Sequence, residues 1–402
     1  MSHGSRRIGR LIVICGLLAI SLGLSTPPAA RAQEATLVPS ASGTLDAMLH
    51  LAPVPPTGEN GAPIQLATYA DVAAQNAVVG EPLPTSVDDP NFIRWAYANM
   101  ALLLPSNLLQ YARGAGWRSL LGFDLWEIDQ SLEVGEPPLV YTLLRGRFNE
   151  TDVQTAWSTQ GYQILDVDGV EVASLHEGPE FDITTELGRY TFARFNNAAI
   201  LPDGTLAYSP TLDGMRSLIA VAQGNAPSLG DRVDVAALVG AIEKPLASAM
   251  LLNGTALQGM PMLGPDVATP VFDDLQTQVA GFAQMPPITT ALLGITPGGP
   301  ISRQIDEMPT PQPGLPAAQF EIALLLPSAD AAQTAEQVAT ERLSTAVSLR
   351  TQKPLTEYFS SWDTRVLTDV PVVVLELTFA PETFPNLWMQ MIFARDLPFL
   401  AW

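Results

Sequence analysis

Any chemistry in this 402-residue chain has to be built from few reactive side chains: three histidines (His3, His50, His176), two lysines (Lys244, Lys353) and one cysteine, Cys15. Nucleophilic hydrolysis needs a hydroxyl or thiol beside a positioned base. No Gly-x-Ser-x-Gly elbow occurs, and neither lysine has a serine three residues before it, so two common serine arrangements are missing. His176, in Leu175-His176-Glu177-Gly178, could act as a base, but no partner motif accompanies it and a solvated loop histidine is the simpler reading.

Metal sites rich in His and Cys are excluded by count, whereas all-oxygen sites are not, because Asp and Glu total 41. Asp166-Val167-Asp168-Gly169-Val170-Glu171 starts like a calcium loop, then lacks the third acid before the glycine and the distal glutamate. Its Asp168-Gly169, set between two alternating runs, reads as a hairpin turn. Asp124, Glu127 and Asp129 form a further acidic group, and Asp88-Asp89 and Asp273-Asp274 are adjacent pairs; each reads as a helix cap or a solvated face. A glycosidase pair of carboxylates, about 5 to 10 Å apart, would arise by chance among so many acids, so composition does not argue for one. Met260-Pro261-Met262 and Met389-Gln390-Met391 offer soft thioethers that suit Cu(I), against the commoner role of methionine in packing. Dinucleotide and phosphate-loop glycine motifs and a Cys-x-x-Cys-His haem site are absent, so no cofactor is expected.

The most suggestive stretch is 253–287, long, apolar and broken by proline. Irregular loops longer than about 12 to 15 residues tend to be lids, binding loops or disordered. Met260, Met262, Phe272, Phe282 and Met285 are its candidate lining for an apolar ligand. The plainer alternative is a helix over 272–282 packed on a sheet.

The N-terminus places the protein. Arg6, Arg7 and Arg10 precede an apolar run from Leu11 to Leu24 and a small-residue stretch ending Ala30-Arg31-Ala32, the layout of a bacterial-type secretory signal with cleavage before Gln33. The apolar run falls short of the about 20 residues of a membrane span, which makes an uncleaved anchor the secondary reading. Residues 5–7 match a twin-arginine signal only in part, and Cys15 lacks the small residue that lipid attachment needs before it. Cleavage would remove four arginines and no acid, leaving 16 basic residues against 41 acidic ones, a charge of −25. Such a chain repels phosphate backbones and has no basic patch for anionic lipid, so neither nucleic acid nor a membrane, beyond the signal itself, is an expected partner. The only cysteine leaves with the signal, and stability must come from a hydrophobic core.

These residues need elements to hold them. Residues 33–63 read as a Pro/Ala-rich flexible leader with one short ordered piece near 45–51. Helices are expected over 66–79, ending at Gly80, over 90–103 behind an Asp89-Pro90 cap, and over 106–113. Residues 140–148 read as a strand, Asn149 as the cap of a short helix, and 162–167 with 170–174 as a hairpin. Strands are expected at 190–195, 198–201 and 205–209, with helices at 212–222 and 233–242. Strands at 248–252, 289–295 and 320–326, a long helix at 329–348, strands at 365–368 and 372–379, and a final helix around Leu387 to Ile392 complete the chain. The apolar end, 397–402, is expected to dock on the protein. Strand, capped helix and paired strands recur in that order in both halves, which predicts an α+β fold of two sheet-plus-helix modules, mainly antiparallel, with a loose internal duplication. The modules span 64–245 and 246–402. The functional expectation is a non-enzymatic exported protein that binds an apolar small molecule or an envelope partner; the alternatives are a secreted hydrolase using paired carboxylates and a structural or interaction domain without a ligand.

Overall fold

Segments in which aliphatic and β-branched residues alternate or run together pair into one antiparallel sheet. The computed structural model describes residues 44–55, 65–105, 108, 111, 116–136, 139–257, 283–299, 314–348 and 350–400. In chain order, helix α1 (Leu45–Leu49), capped by Thr44, leads into strand β1 (Gln65–Asp71) and helices α2 (Val72–Val79), α3 (Pro90–Ala98) and α4 (Trp117–Leu121). Strands β2 (Ile128–Glu136) and β3 (Leu139–Gly146) are followed by helix α5 (Glu150–Gln160), whose cap is Asn149. The hairpin of β4 (Gln163–Val167) and β5 (Val170–Ser174) turns at Asp168 and Gly169, both at positive φ. Helix α6 (Glu186–Thr191), strands β6 (Asn197–Ile200) and β7 (Leu206–Ser209), and helices α7 (Leu212–Ala222) and α8 (Val233–Ala241) close the first half. The second half contains β8 (Ser248–Asn253), β9 (Thr290–Ile295), β10 (Gln319–Leu325), helix α9 (Ala329–Thr345), β11 (Phe359–Val366), β12 (Val372–Phe379) and helix α10 (Leu387–Phe393).

All twelve strands belong to a single sheet ordered β11-β12-β10-β9-β8-β1-β2-β3-β7-β6-β5-β4. The α+β class expected from the sequence is present, but the sheet is larger than either expected module and runs through both halves. The halves meet where β1 pairs antiparallel with β8, Thr68 opposite Met250 and Ala70 opposite Ser248. Alternate residues of each strand serve opposite faces. On one face α3, α4 and α5 cover the first half and α9 and α10 the second; on the other, α1, α7 and α8 pack on a core that includes Tyr69, Leu132, Leu143, Leu251 and Val374. No helix among the described residues is long and apolar enough to cross a membrane.

Polar side chains stitch the seam. Ser248 Oγ donates to the Tyr69 carbonyl at 2.8 Å and accepts from the Leu103 amide at 2.9 Å. The Gln75 amide nitrogen donates to the carbonyls of Ala98 and Gly298, at 2.9 and 3.0 Å, and its oxygen accepts from the Gly298 amide. Trp388 Nε1 donates to the Ala101 carbonyl at 2.9 Å, so the segment after α3 is tied to α10. Of the apolar end expected to dock, Leu397, Phe399 and Leu400 are buried, and 401–402 lie outside the described residues. Buried Arg342 donates to the Pro398 and Ala283 carbonyls.

Several local expectations need correction. Residues 65–71 are a central strand rather than helix: flanked by β2 and β8 they bury Leu66, Ala67, Tyr69 and Ala70, and tertiary pairing overrides an alanine-rich composition. The helix begins only at Asp71, whose carboxylate caps the Ala74 amide at 2.8 Å. Residues 190–195, expected as a strand, are instead the end of helix α6 and the turn after it; Thr185 caps that helix by accepting from the Gly188 amide. Strand β2 was not expected, and β11 starts six residues earlier than its polar sequence suggests. The helix expected over 106–113 lies mostly outside the described residues.

Replacing Ser248 with alanine would leave the partly buried Leu103 amide without its acceptor and remove the bond to Tyr69. Urea denaturation should show a loss of about 1–3 kcal/mol; a variant as stable as the wild type would mean that the seam does not depend on this hydroxyl.

Candidate binding groove

Strand β12 leaves the sheet at Phe379 and the chain turns through 380–386 into α10. Facing this turn is a 3-10 segment, Leu355–Glu357, that leads into β11. The Ala380 amide donates to the Tyr358 carbonyl at 2.8 Å, which joins the two walls at their base, while Met100 reaches in from the segment after α3. Between them lies an open cleft of about 840 Å³, within the size range of small-molecule sites. Met100, Tyr358, Ala380, Pro381, Phe384 and Leu387 supply its apolar surface. Lys353, Glu357, Glu382, Thr383, Asn386 and Gln390 supply polar groups. Lys353 Nζ stands 3.5 Å from Glu357, and both side chains are largely exposed. In the core next in sequence to Tyr358 and Ala380, the Phe320 and Phe379 rings are stacked with centroids 6.4 Å apart, and Phe359 lies against Phe379 at 5.4 Å; none of the three lines the cleft.

A second, smaller pocket of about 210 Å³ opens at the other end of α10, lined by Met250, Leu252, Leu257, Ile392 and Leu397 with Gln65, Glu136 and Arg395 among its polar groups. Of the residues expected from the sequence to line an apolar site, Met285 is 2% exposed and packs in the same core cluster as Met250, Leu257 and Ile288. Met260, Met262, Phe272 and Phe282 lie outside the described residues. The main groove was not foreseen, since its lining comes from three separate parts of the chain and no local motif marks it. Compared with protein-family models, curated proteins and solved structures, the chain matches none.

The other candidate groups have ordinary partners. His176 is exposed and its carbonyl accepts from Asn197 Nδ2; His50 sits 3.6 Å from Asp46 and 3.7 Å from Asp231. Asp124 and Glu127 both pair with Arg118, Asp129 pairs with Arg147, and Asp89 caps α3. Met391 is buried in the core and Met389 packs at its margin. Among the described residues no group of three or more His, Cys, Asp or Glu is arranged to hold a metal ion.

Four carboxylates are buried in the sheet: Asp129, paired with Arg147 as above, and Glu133, Asp71 and Glu321. Glu133 is held by Arg194 at 2.5 Å and by Thr142. Asp71 accepts from Tyr69, Gln130 and the Ala74 amide. Glu321 meets Lys244 at 3.1 Å, and the same Nζ pairs closely with Glu376, the cross-strand neighbour of Glu321. Burial pushes Glu133, Asp71 and Glu321 above the ordinary carboxylate range despite these bonds. Burial alone would also raise Asp203 and Asp234, but bonds from Arg145 and Arg232 outweigh it and hold both low. None of these acids lines the groove.

The two classes respond oppositely to pH. A buried acid raised in the folded state contributes most below its unfolded value, and that contribution is lost as pH rises through its folded value. A depressed acid contributes above its unfolded value and loses that contribution as pH falls through its folded value. The unfolding temperature should therefore climb as pH falls from neutral toward the ordinary carboxylate range and drop again once pH falls below that range. A thermal melt series checks this, with Glu321→Gln expected to reduce the climb; a flat or falling profile over the first of these intervals would refute it.

Proposed function

We propose that the protein is a non-catalytic, exported binding protein that takes an uncharged apolar small molecule in the groove between the 380–386 turn and the 353–358 segment. The observation that carries this reading is the apolar lining that Met100, Tyr358, Ala380, Pro381, Phe384 and Leu387 give the cleft, with Lys353 and Glu357 paired at largely exposed positions beside it. A lining with more acidic than basic groups favours a neutral ligand over an anionic one. The secretory layout of residues 1–32 supports placement outside the cytoplasm, with a mature chain beginning at Gln33.

We also read the halves, 64–245 and 246–402, as two versions of one module. In support, β8-β9-β10 followed by α9, β11 and β12 lie in the sheet as β1-β2-β3 followed by α5, β4 and β5 do, once β7 and β6 are set aside as a hairpin inserted beside β3. Inserting two strands keeps the up-down alternation, and α1 and α8 precede β1 and β8 alike.

Titration with N-phenyl-1-naphthylamine, an uncharged apolar fluorophore, tests the groove. Wild-type protein should enhance its emission saturably, and Phe384→Asp or Leu387→Asp should weaken binding by at least tenfold, while Val233→Ser, at an exposed valine elsewhere, should not. Unchanged affinity in both groove variants would reject the site. Expression with the native leader in a bacterial host should yield secreted protein whose intact mass starts at Gln33; retention of the leader in a membrane fraction would favour an anchor.

A further inference from the structure

The loop joining β5 to β6 carries an apolar surface unrelated to the groove. Phe181, Ile183 and Phe192 are 45%, 64% and 50% exposed, and the two phenylalanine rings meet edge to face with centroids 5.9 Å apart. The loop that presents them is firmly held. Asn196 Nδ2 donates to the Gly178 and Glu180 carbonyls, at 3.0 and 2.6 Å, and the Leu212 amide donates to the Glu177 carbonyl at 2.8 Å. Asn197 Nδ2 donates to the His176 carbonyl at 2.9 Å.

Phe192 is unfavourably placed on two counts. It ends α6 in the left-handed region, φ 48°, where glycine is the usual residue, and Ala193 follows at φ 66°. That double reversal sends Ala193 and Phe195 into the core and leaves the Phe192 ring outside. A glycine would relieve the backbone and remove the exposed ring at once, so neither local conformation nor core packing accounts for phenylalanine here. Rigidly held, half-exposed aromatic side chains are what anchor protein interfaces.

The surroundings indicate the partner. Glu177, Glu180, Asp182 and Glu186 are all exposed around these rings, whereas Arg194 is committed to Glu133 and Arg189 is the exposed arginine of the loop. We infer that this loop docks a basic polypeptide segment in which lysine or arginine alternates with apolar residues, the apolar side chains resting on Phe181, Ile183 and Phe192. An acidic rim on a strongly acidic protein disfavours an anionic lipid surface, which leaves a basic protein segment as the complementary occupant.

Fluorescence anisotropy on the full mature chain, at physiological salt, tests the inference with a 12-residue peptide of alternating lysine and leucine and a lysine/serine control. The lysine/leucine peptide should bind at least tenfold more tightly than the control, and F181S/F192G should abolish that preference without lowering the unfolding temperature. E177Q/E180Q should weaken binding at least threefold and flatten its salt dependence. Should F192G lower the unfolding temperature, I183S carries the test at the most exposed of the three positions. Equal binding of the two peptides, or undiminished binding to I183S and F181S/F192G, overturns the inference. So does Phe192-dependent partitioning onto phosphatidylcholine vesicles without peptide discrimination, which would make the patch a lipid contact. The groove variants Phe384→Asp and Leu387→Asp should leave peptide binding unchanged, so the two proposals fail separately.

Discussion

The antiparallel pairing of β1 with β8 is the contact on which the remaining architecture depends. It joins two sets of strands from distant parts of the chain into one sheet, and its closure entropy is recovered only when helices cover both faces. Ser248 illustrates how the seam recruits its surroundings, bridging the strand backbone and the segment after α3 with one hydroxyl. That segment then supplies Ala101 to Trp388 and Met100 to the groove, so the central pairing and the proposed binding site are connected through about five residues of chain.

Charge is distributed in a way that separates structure from recognition. The sheet faces its buried acids with a cation or with several donors, Lys244 serving both Glu321 and Glu376, so that removal of one partner would strand another. The groove carries its Lys353 and Glu357 pair at largely exposed positions, and the loop between β5 and β6 carries charge around exposed aromatic rings. With so few lysines and histidines, the chain relies on arginine for internal pairing: Arg194, Arg145 and Arg147 each hold an acid of the first half.

Much of the helical and hairpin structure was legible because its signals are local. Asp89-Pro90, Asn149, Ser328 and Asp168-Gly169 act within four residues of themselves, and all four serve as caps or turn as their types suggest. Strand β2 escaped because Asp129, Gln130, Ser131 and Glu133 look like surface positions, and only the fold reveals the partners that bury them. Strand β1 escaped for the opposite reason, since Ala67, Ala70 and their neighbours suit a helix until two flanking strands are present. The groove was illegible in principle: Met100, Tyr358 and Phe384 carry no shared motif, and only the turn after β12 brings them together. Of the expected lining, Met285 is a core residue and the other four positions lie outside the described residues.

An open sheet has two outer strands, and here they are β4 and β11. Among the described residues each pairs with a strand on one side only, an arrangement that an approaching extended chain can join. β11 is guarded by a register irregularity near Phe359 and by Asp363 and Arg365, whereas β4 displays Ile164 at 60% exposure beside the single acid Asp166. Mutual repulsion between strongly anionic molecules is then the chief barrier to end-on stacking through β4. That barrier weakens as the carboxylates protonate, which makes acid the condition under which sheets would extend from one molecule to the next.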